Sequence, residues 1–358
     1  MDFFSRFTSN TIAGSANQHT FRPDGQRTGR VYYKIAHGGT YQYSLLFSNI
    51  VDSTYSDGSV SYRNLICPAW RIHEARVGRC LTAQPDHQPL PVRLTFDGRA
   101  EKDVHPGEFF HTDPVTLTFE AGEYLCLEMT FSGELLPYHE ESLLPVFSLH
   151  NGEWVYDKHM PLPGMVGCDR PVKTRVAFVG DSITQGIGTD INSYQHWNAV
   201  TAARLPESCA CWNLGIGYAR ANDLATCSAW MYKLRHNDVY VVCMGVNDIW
   251  HEASGQLQRD LSRIVDTLRA AGGKIVLQTI PPFHYPDEKK ALWQNANRFI
   301  REELAKKVDL VFDVAPLLAQ DEEHPQNARY GGHPDAAGCA VWGEALYEAI
   351  RDAGIVGE

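Results

Sequence analysis

Five apolar runs recur along the second half of the chain, and segments with helical spacing lie between them. Buried parallel strands appear as continuous apolar runs, and their alternation with helices is typical of a parallel sheet covered on both faces. One helix is expected over residues 256–271, where apolar residues recur every three or four positions before Gly272-Gly273. The pattern predicts an α/β fold with five parallel strands, at residues 175–180, 210–216, 239–245, 274–280 and 309–314.

The first 160 residues show a different pattern, in which apolar and polar residues alternate. Short alternating segments separated by turns such as Asp97-Gly98 are typical of a β-sandwich. A chain of 358 residues also exceeds what one hydrophobic core usually supports. We therefore expect a jelly-roll-like β-sandwich domain at residues 1–160, a Pro/Gly-rich linker at 161–171 and an α/β domain at 172–358.

The first apolar run of the α/β domain leads directly into Gly180-Asp181-Ser182-Ile183-Thr184. In open parallel sheets, ligands and catalytic groups lie at the carboxyl ends of the strands. Ser182 is therefore a candidate nucleophile. The alternative is structural, because Asp-Ser pairs are also common in turns and helix caps.

Two further apolar runs end in residues that can stabilise a developing negative charge. Gly215 and Gly217 close the second run, and Asn247 follows the third. Glycine lets a backbone N–H approach a substrate closely, and an asparagine amide is a neutral donor. The alternatives are again structural, since the glycines can turn the chain and Asn247-Asp248 can cap a helix.

A glycine-rich block at residues 331–338 carries His333 and precedes the last helical pattern. In this order, the four motifs resemble those of the SGNH, or GDSL-type, hydrolase family over about residues 172–355. The resemblance implies a flavodoxin-like three-layer α/β/α domain, and several N-terminal segments resemble the β-sandwich that precedes it in one subgroup. It also implies site roles: a nucleophile, Ser182; a base, His333; and oxyanion donors, the Ser182 N–H, the Gly217 N–H (with Gly215 as the alternative) and the Asn247 amide.

The chain departs from the family pattern in one respect. An aspartate usually stands three residues before the histidine, and here that position is Tyr330. The literal pattern D-x-x-H occurs at residues 321–324, but no helical pattern follows His324, so we assign the base to His333. The group that orients His333 stays open: a backbone carbonyl, Asp321, Asp335, Tyr330 or an acid elsewhere are the candidates.

These residue types fit acyl transfer, because a serine needs a base to attack an ester and donors to stabilise the resulting oxyanion. The predicted function is a serine esterase for short acyl esters of small molecules or oligosaccharides, chiefly acetyl groups on carbohydrate, since no long apolar lid is visible. Alternatives are a lipase, thioesterase or acyltransferase using the same residues, and a non-catalytic glycan-binding relative. Aromatic residues near the motifs, Tyr194, Trp197 and Trp250, either flank a sugar or pack in the core.

Composition excludes several other classes of function. The net charge of −11 and the absence of a basic stripe argue against nucleic acid and anionic membranes as partners. The histidines and cysteines lack metal-ligand spacing, and the mechanism needs no cofactor. The N-terminal residues lack a signal-peptide pattern, and nine cysteines scattered along the chain favour free thiols, so we expect a cytoplasmic protein. The sequence makes no prediction of oligomeric state.

Overall fold

The computed structural model describes residues 2–55, 64–86, 88–226, 228–251 and 254–357. The chain divides into two compact units, Met1–Pro171 and Val172–Glu358. Among the described residues, the cysteines are free thiols. None of the helices in these ranges combines the length and the apolar character that a membrane span requires.

The N-terminal unit is built from antiparallel strands in two main sheets. One sheet has the strand order β1-β14-β4-β8, with β9 also on β4, and the other has the order β13-β12-β3-β10-β5-β6, with β7 also on β5. The elements are α1 (Phe3–Arg6), β1 (Thr8–Ser9), β2 (His19–Phe21), β3 (Arg27–Lys34), β4 (Gly39–Ser48), β5 (Trp70–Cys80), β6 (Val92–Arg93), β7 (Lys102–Val104), β8 (Phe109–His111), β9 (Val115–Phe119), β10 (Tyr124–Gly133), β11 (Leu136–Tyr138), β12 (Val146–His150), β13 (Glu153–Tyr156) and β14 (Met165–Cys168).

Alternation in the sequence accounts for the long strands of this unit. In β10, Leu125, Leu127, Met129 and Phe131 are buried, and the strand pairs with β3 on one side and β5 on the other. An antiparallel, β-rich N-terminal region is thereby confirmed.

One part of the expected linker was predicted wrongly. Met165–Cys168 forms β14, which pairs with β4 and with β1 inside the first sheet. The physical reason is burial: Met165, Val166 and Cys168 are apolar and buried, and they complete the sheet directly after the Pro/Gly segment. Proline and glycine therefore mark the approach to a strand at this point of the chain.

The C-terminal unit contains, in the described part of the chain, a sheet of five parallel strands with helices between them. The strand order is β16-β15-β17-β18-β19, and every pairing is parallel. This confirms the predicted α/β fold, with strands β15 (Thr174–Gly180), β16 (Cys209–Asn213), β17 (Val239–Cys243), β18 (Lys274–Gln278) and β19 (Leu310–Phe312). The helices are α2 (Ser182–Gln185), α3 (Trp197–Arg204), α4 (Ala221–Thr226), α5 (Ser228–Leu234), α6 (Val246–Trp250), α7 (Ser254–Ala271), α8 (Asp287–Glu302), a 3₁₀ turn (Leu304–Lys306), α9 (Ala315–Leu318) and α10 (Ala336–Asp352).

Apolar packing fixes the helices of this unit. Leu257, Leu261, Ile264 and Leu268 of α7 are buried, as their helical spacing predicts. The last helix, α10, packs against α3, where the rings of Trp197 and Trp342 stack with centroids 4.8 Å apart. Both tryptophans are fully buried, so Trp197 belongs to the core and does not flank a ligand.

Candidate active site

Ser182 lies at the carboxyl end of β15, the second strand of the parallel sheet. Asp181 caps the short helix α2, and its Oδ1 accepts a hydrogen bond of 3.0 Å from the Ile183 N–H. Gly180 makes this turn possible, since a Cβ there would lie 2.0 Å from Thr184 Oγ1 and 2.4 Å from the Cys243 carbonyl oxygen. The chain therefore turns sharply from strand to helix at the serine.

The Ser182 side chain meets that of His333. Ser182 Oγ lies 2.8 Å from His333 Nε2, although the two residues are 151 positions apart in the chain. His333 sits just before α10, whose N-cap Asp335 accepts a hydrogen bond of 2.9 Å from the Gly338 N–H. Gly188, with φ of 105°, lets the loop after α2 pass close to the backbone of His333.

The imidazole of His333 is covered by an aromatic ring. Phe283 lies with its ring centroid 5.1 Å from that of His333, at an interplanar angle of 83°. Burial lowers the pKa of His333 below its ordinary value, so the ring is neutral and able to accept a proton at neutral pH. The sequence pattern carries no signal for this contact, because Phe283 follows a different strand.

The candidate orienting acids are engaged elsewhere. Asp335 caps α10. Asp321 Oδ1 lies 3.1 Å from Nδ1 of His324 and accepts a 2.6 Å hydrogen bond from the His324 N–H; both side chains are exposed. Within the described ranges of the chain, the hydrogen bond of the His333 ring is the one to Ser182. The D-x-x-H pattern at residues 321–324 is thus a surface pair, separate from the serine.

Asn247 lies one strand away from Ser182, in α6 after β17. Its Nδ2 donates a hydrogen bond of 2.9 Å to the carbonyl oxygen of Ala219. A primary amide has two N–H groups, so this bond orients the side chain and leaves a second donor. Asn247 therefore joins the loop after β16 to the helix after β17.

The two candidate glycine donors already have internal partners. The Gly217 N–H donates to Gln185 Oε1 at 2.7 Å, and the Gly215 N–H donates to Asn213 Oδ1 at 2.9 Å. Gln185 is buried and lies three residues after Ser182, one turn along α2. A Cβ on Gly215 would lie 2.1 Å from the Gln185 backbone nitrogen, so this loop packs directly on α2. Nothing in the sequence pattern distinguishes Gln185 as a partner of Gly217.

Two buried carboxyl groups stand next to the candidate catalytic residues. Asp181 precedes Ser182 and Asp248 follows Asn247; burial raises the pKa of each to about 7, and the charge of Asp248 adds to the effect on Asp181. Asp248 Oδ2 accepts a hydrogen bond of 2.9 Å from the Ala221 N–H. Among the described residues, no group of three or more His, Cys, Asp or Glu is arranged to hold a metal ion.

Comparisons with known proteins found a matching family model and a similar curated protein. Residues 178–341 match the model of the GDSL-like lipase/acylhydrolase family. An acetylxylan esterase from Xylanibacter ruminicola is 25% identical over 260 residues, which cover 61% of this chain and 49% of that protein. The chain thus spans about half the length of this curated relative.

Solved structures of similar proteins cover about half of this chain. A member of the lipolytic protein G-D-S-L family from Veillonella parvula is 16% identical, with a TM-score of 0.40, covering 50% of this chain and 99% of that one. A carbohydrate acetylesterase family member from Sinorhizobium meliloti is 19% identical, with a TM-score of 0.41, covering 51% of this chain and 99% of that one.

Proposed function

We propose that this protein is a serine esterase that removes short acyl groups, above all acetyl groups, from carbohydrate. Residues 178–341 match the model of the GDSL-like lipase/acylhydrolase family, which supports this proposal. The observation that carries the proposal is the 2.8 Å contact between Ser182 Oγ and His333 Nε2. A serine hydroxyl is a poor nucleophile by itself, and a neutral imidazole at this distance can take its proton.

In the proposed reaction, His333 Nε2 accepts the proton of Ser182 as Oγ attacks the ester carbonyl carbon. The tetrahedral intermediate collapses when the bond to the alcohol oxygen breaks, and His333 returns its proton to that oxygen. His333 then takes a proton from a water molecule as the water oxygen attacks the acyl-enzyme. The second tetrahedral intermediate collapses when the bond to Oγ breaks, His333 returns the proton to Ser182, and the carboxylic acid is released. Each step balances without a cofactor.

The proposed oxyanion donors are the Ser182 N–H, the Asn247 amide and the Gly217 N–H. Asn247 fits this role because its bond to Ala219 uses only one of its two N–H groups. The Gly217 N–H already donates a hydrogen bond to Gln185 Oε1 at 2.7 Å. It can therefore contribute only when the oxyanion replaces Gln185 Oε1 as the acceptor. A full negative charge is a stronger acceptor than an amide oxygen, so the developing oxyanion has the advantage in this competition. One such donor is typically worth about a hundredfold to a thousandfold in rate.

The proposed substrate class rests on the name of a similar protein. The name of the Xylanibacter ruminicola relative, acetylxylan esterase, supports acetyl groups on a polysaccharide. A non-catalytic glycan-binding role, which Tyr330 would favour, does not require a serine and a neutral histidine in hydrogen-bond contact. That contact is why we propose catalysis.

A series of 4-nitrophenyl esters from acetate to decanoate tests the proposal. Turnover should be confined to acetate and propionate, and Ser182→Ala should lower it by at least about a thousandfold. His324→Ala is the matched control, because it removes a histidine whose partner is Asp321 and should leave the rate unchanged. Turnover that peaks at long chains would contradict the proposed acyl specificity, and turnover that survives in Ser182→Ala would contradict the nucleophile.

A further inference from the structure

Two exposed aromatic rings stand beside the proposed oxyanion donors. Among the described residues of the C-terminal unit, Tyr218 is 43% exposed and Trp250 is 45% exposed, whereas most large apolar side chains are buried. Tyr218 directly follows Gly217, and Trp250 follows Asn247 by three residues, at the end of α6. The hydrogen bond from Asn247 to Ala219 joins the two segments that carry these rings.

The Trp250 ring connects to the catalytic histidine through one intervening ring. Its centroid lies 6.1 Å from that of Phe283, at an interplanar angle of 76°, and Phe283 in turn lies 5.1 Å from His333. Lys289 donates a hydrogen bond to the Trp250 carbonyl oxygen, and its ammonium lies 5.3 Å from the tryptophan ring centroid. Trp250 is therefore held in place and still presents nearly half of its surface to solvent.

The aromatic row formed by Phe283 and Trp250 begins at His333, which acts on the alcohol part of the ester in the proposed reaction. In the proposed reaction His333 gives its proton to the departing alcohol, so the alcohol part of the ester must lie on the His333 side of Ser182. Phe283 contacts the His333 ring, and Trp250 contacts Phe283, so the two rings continue from His333. A ligand pocket of this kind usually combines aromatic walls with a few polar groups that fix orientation.

We propose that Trp250 forms a stacking subsite for a sugar ring in the alcohol part of the ester substrate. The inference rests on the proposed esterase function and deepens it by placing the carbohydrate. The apolar C–H face of a pyranose matches a flat indole, and such contact buries apolar area of both partners. Phe283 contacts the indole and does not itself need to touch the sugar.

Two acetyl esters with different alcohols test this subsite: methyl tri-O-acetyl-β-xylopyranoside and ethyl acetate. Trp250→Leu should lower kcat/KM for the xyloside about tenfold, chiefly through KM, because stacking is lost. The same variant should hydrolyse ethyl acetate within about twofold of the wild type, since ethanol has no ring to stack. Trp250→Phe should keep most of the activity on the xyloside.

Tyr347→Leu is the matched control. The Tyr347 ring, like that of Trp250, lies near a cation: the Arg351 guanidinium is 5.8 Å from its centroid. Tyr347 is partly buried and lies on α10, away from Phe283 and Trp250. Tyr347→Leu should leave the hydrolysis of both the xyloside and ethyl acetate unchanged. Equal losses on the two esters in Trp250→Leu, or no loss on either, would overturn the proposal.

Failure of the esterase function itself would look different. In that case the wild type and Ser182→Ala would be equally inert on both esters. Calorimetric titration with xylotriose then tests whether Trp250 binds a sugar, because binding does not require turnover. Binding by the wild type that Trp250→Leu loses would support the proposal, and equal binding, or none, would overturn it.

Discussion

The contact between His333 and Phe283 determines the properties of His333 as the proposed base. In a serine triad, a carboxylate holds the histidine and stabilises its charged form. Here the ring is half-buried against Phe283, and burial lowers its pKa. Such a histidine remains deprotonated to lower pH than an exposed one, but no carboxylate among the described residues is hydrogen-bonded to its ring to stabilise the protonated form. The expected site is a dyad whose activity extends into mildly acidic solution.

Phe283→Ala should move the acidic limb of the pH profile to higher pH. Burial lowers the pKa of His333, so letting water reach the ring raises that pKa toward its ordinary value. We expect the acidic limb of kcat/KM to shift to higher pH. Phe283→Leu keeps an apolar cover and should leave the limb in place. A downward shift in the alanine variant would contradict this role of the ring.

Gln185→Glu tests whether the Gly217 N–H faces the oxyanion. The carboxylate would still accept the hydrogen bond from Gly217, but its negative charge would stand beside the developing oxyanion. We expect kcat to fall at least about tenfold with little change in KM, and the deficit to shrink as the pH falls and the new side chain is protonated. Steady-state kinetics between about pH 5 and pH 8 measure both effects. An unchanged kcat would place Gly217 outside the oxyanion site.

The ends of three adjacent strands bring the site together. Strands β16, β15 and β17 are neighbours, so the loops that carry Gly217, Ser182 and Asn247 emerge side by side. The parallel register pairs Gly180 with Cys243, directly before the serine and the asparagine motifs. Local geometry at these strand ends therefore controls the positions of both the proposed nucleophile and one proposed oxyanion donor.

Gly180→Ala should damage this junction. Its new Cβ would lie 2.4 Å from the Cys243 carbonyl oxygen, a backbone atom of the central sheet that cannot move away by itself. We expect a loss of about 1–3 kcal/mol in the free energy of unfolding and a lower kcat, measured by urea denaturation and ester hydrolysis. Gly357→Ala is the control, since a Cβ there would meet open space. Equal stability of the two variants would contradict the tight turn.

Elements of the parallel sheet were predictable, whereas contacts between loops were not. Each predicted strand matches an observed one because a strand buried on both faces must be an apolar run. The contacts of Gln185 with Gly217 and of Phe283 with His333 join loops after different strands. Such contacts depend on the packing of the whole sheet edge, which leaves no local pattern in the chain.

At the scale of the whole molecule, the proposed site draws on one of the two compact units. Residues from Ser182 to His333 all belong to Val172–Glu358, and the described N-terminal unit supplies none of the proposed catalytic groups. The first unit was recognisable from its alternating strands, but β14 was not, because prolines and glycines beside it suggested a linker. Composition alone does not tell a linker from a strand that completes a sheet.

The buried carboxyl pair should affect the stability of the protein as the pH changes. Asp248 has a reference pKa of 3.8, and burial raises it to about 7 in the folded protein. The folded state therefore binds the proton more tightly between these values, and the free energy of unfolding falls as the pH rises through them. The raised pKa of Asp181 likewise lowers the free energy of unfolding as the pH rises.

Asp248→Asn should reduce the decrease in the free energy of unfolding with rising pH, by on the order of one kcal/mol per pH unit between about pH 4 and pH 7. The amide oxygen can still accept the hydrogen bond from Ala221, so the fold should be kept. Urea denaturation at several pH values measures the difference. Asp266→Asn, on the exposed face of α7, is the control and should follow the wild type. A variant that loses stability relative to the wild type as the pH rises would contradict the assignment.

Covalent labelling tests the central claim, that Ser182 is a nucleophile activated by His333, most directly. The protein is treated with diethyl 4-nitrophenyl phosphate, and the site and rate of phosphorylation are measured by mass spectrometry. We expect one modified residue, Ser182, in the wild type and in His324→Ala, and labelling at least about a hundredfold slower in His333→Ala. Labelling at another residue, or equal rates with and without His333, would contradict it.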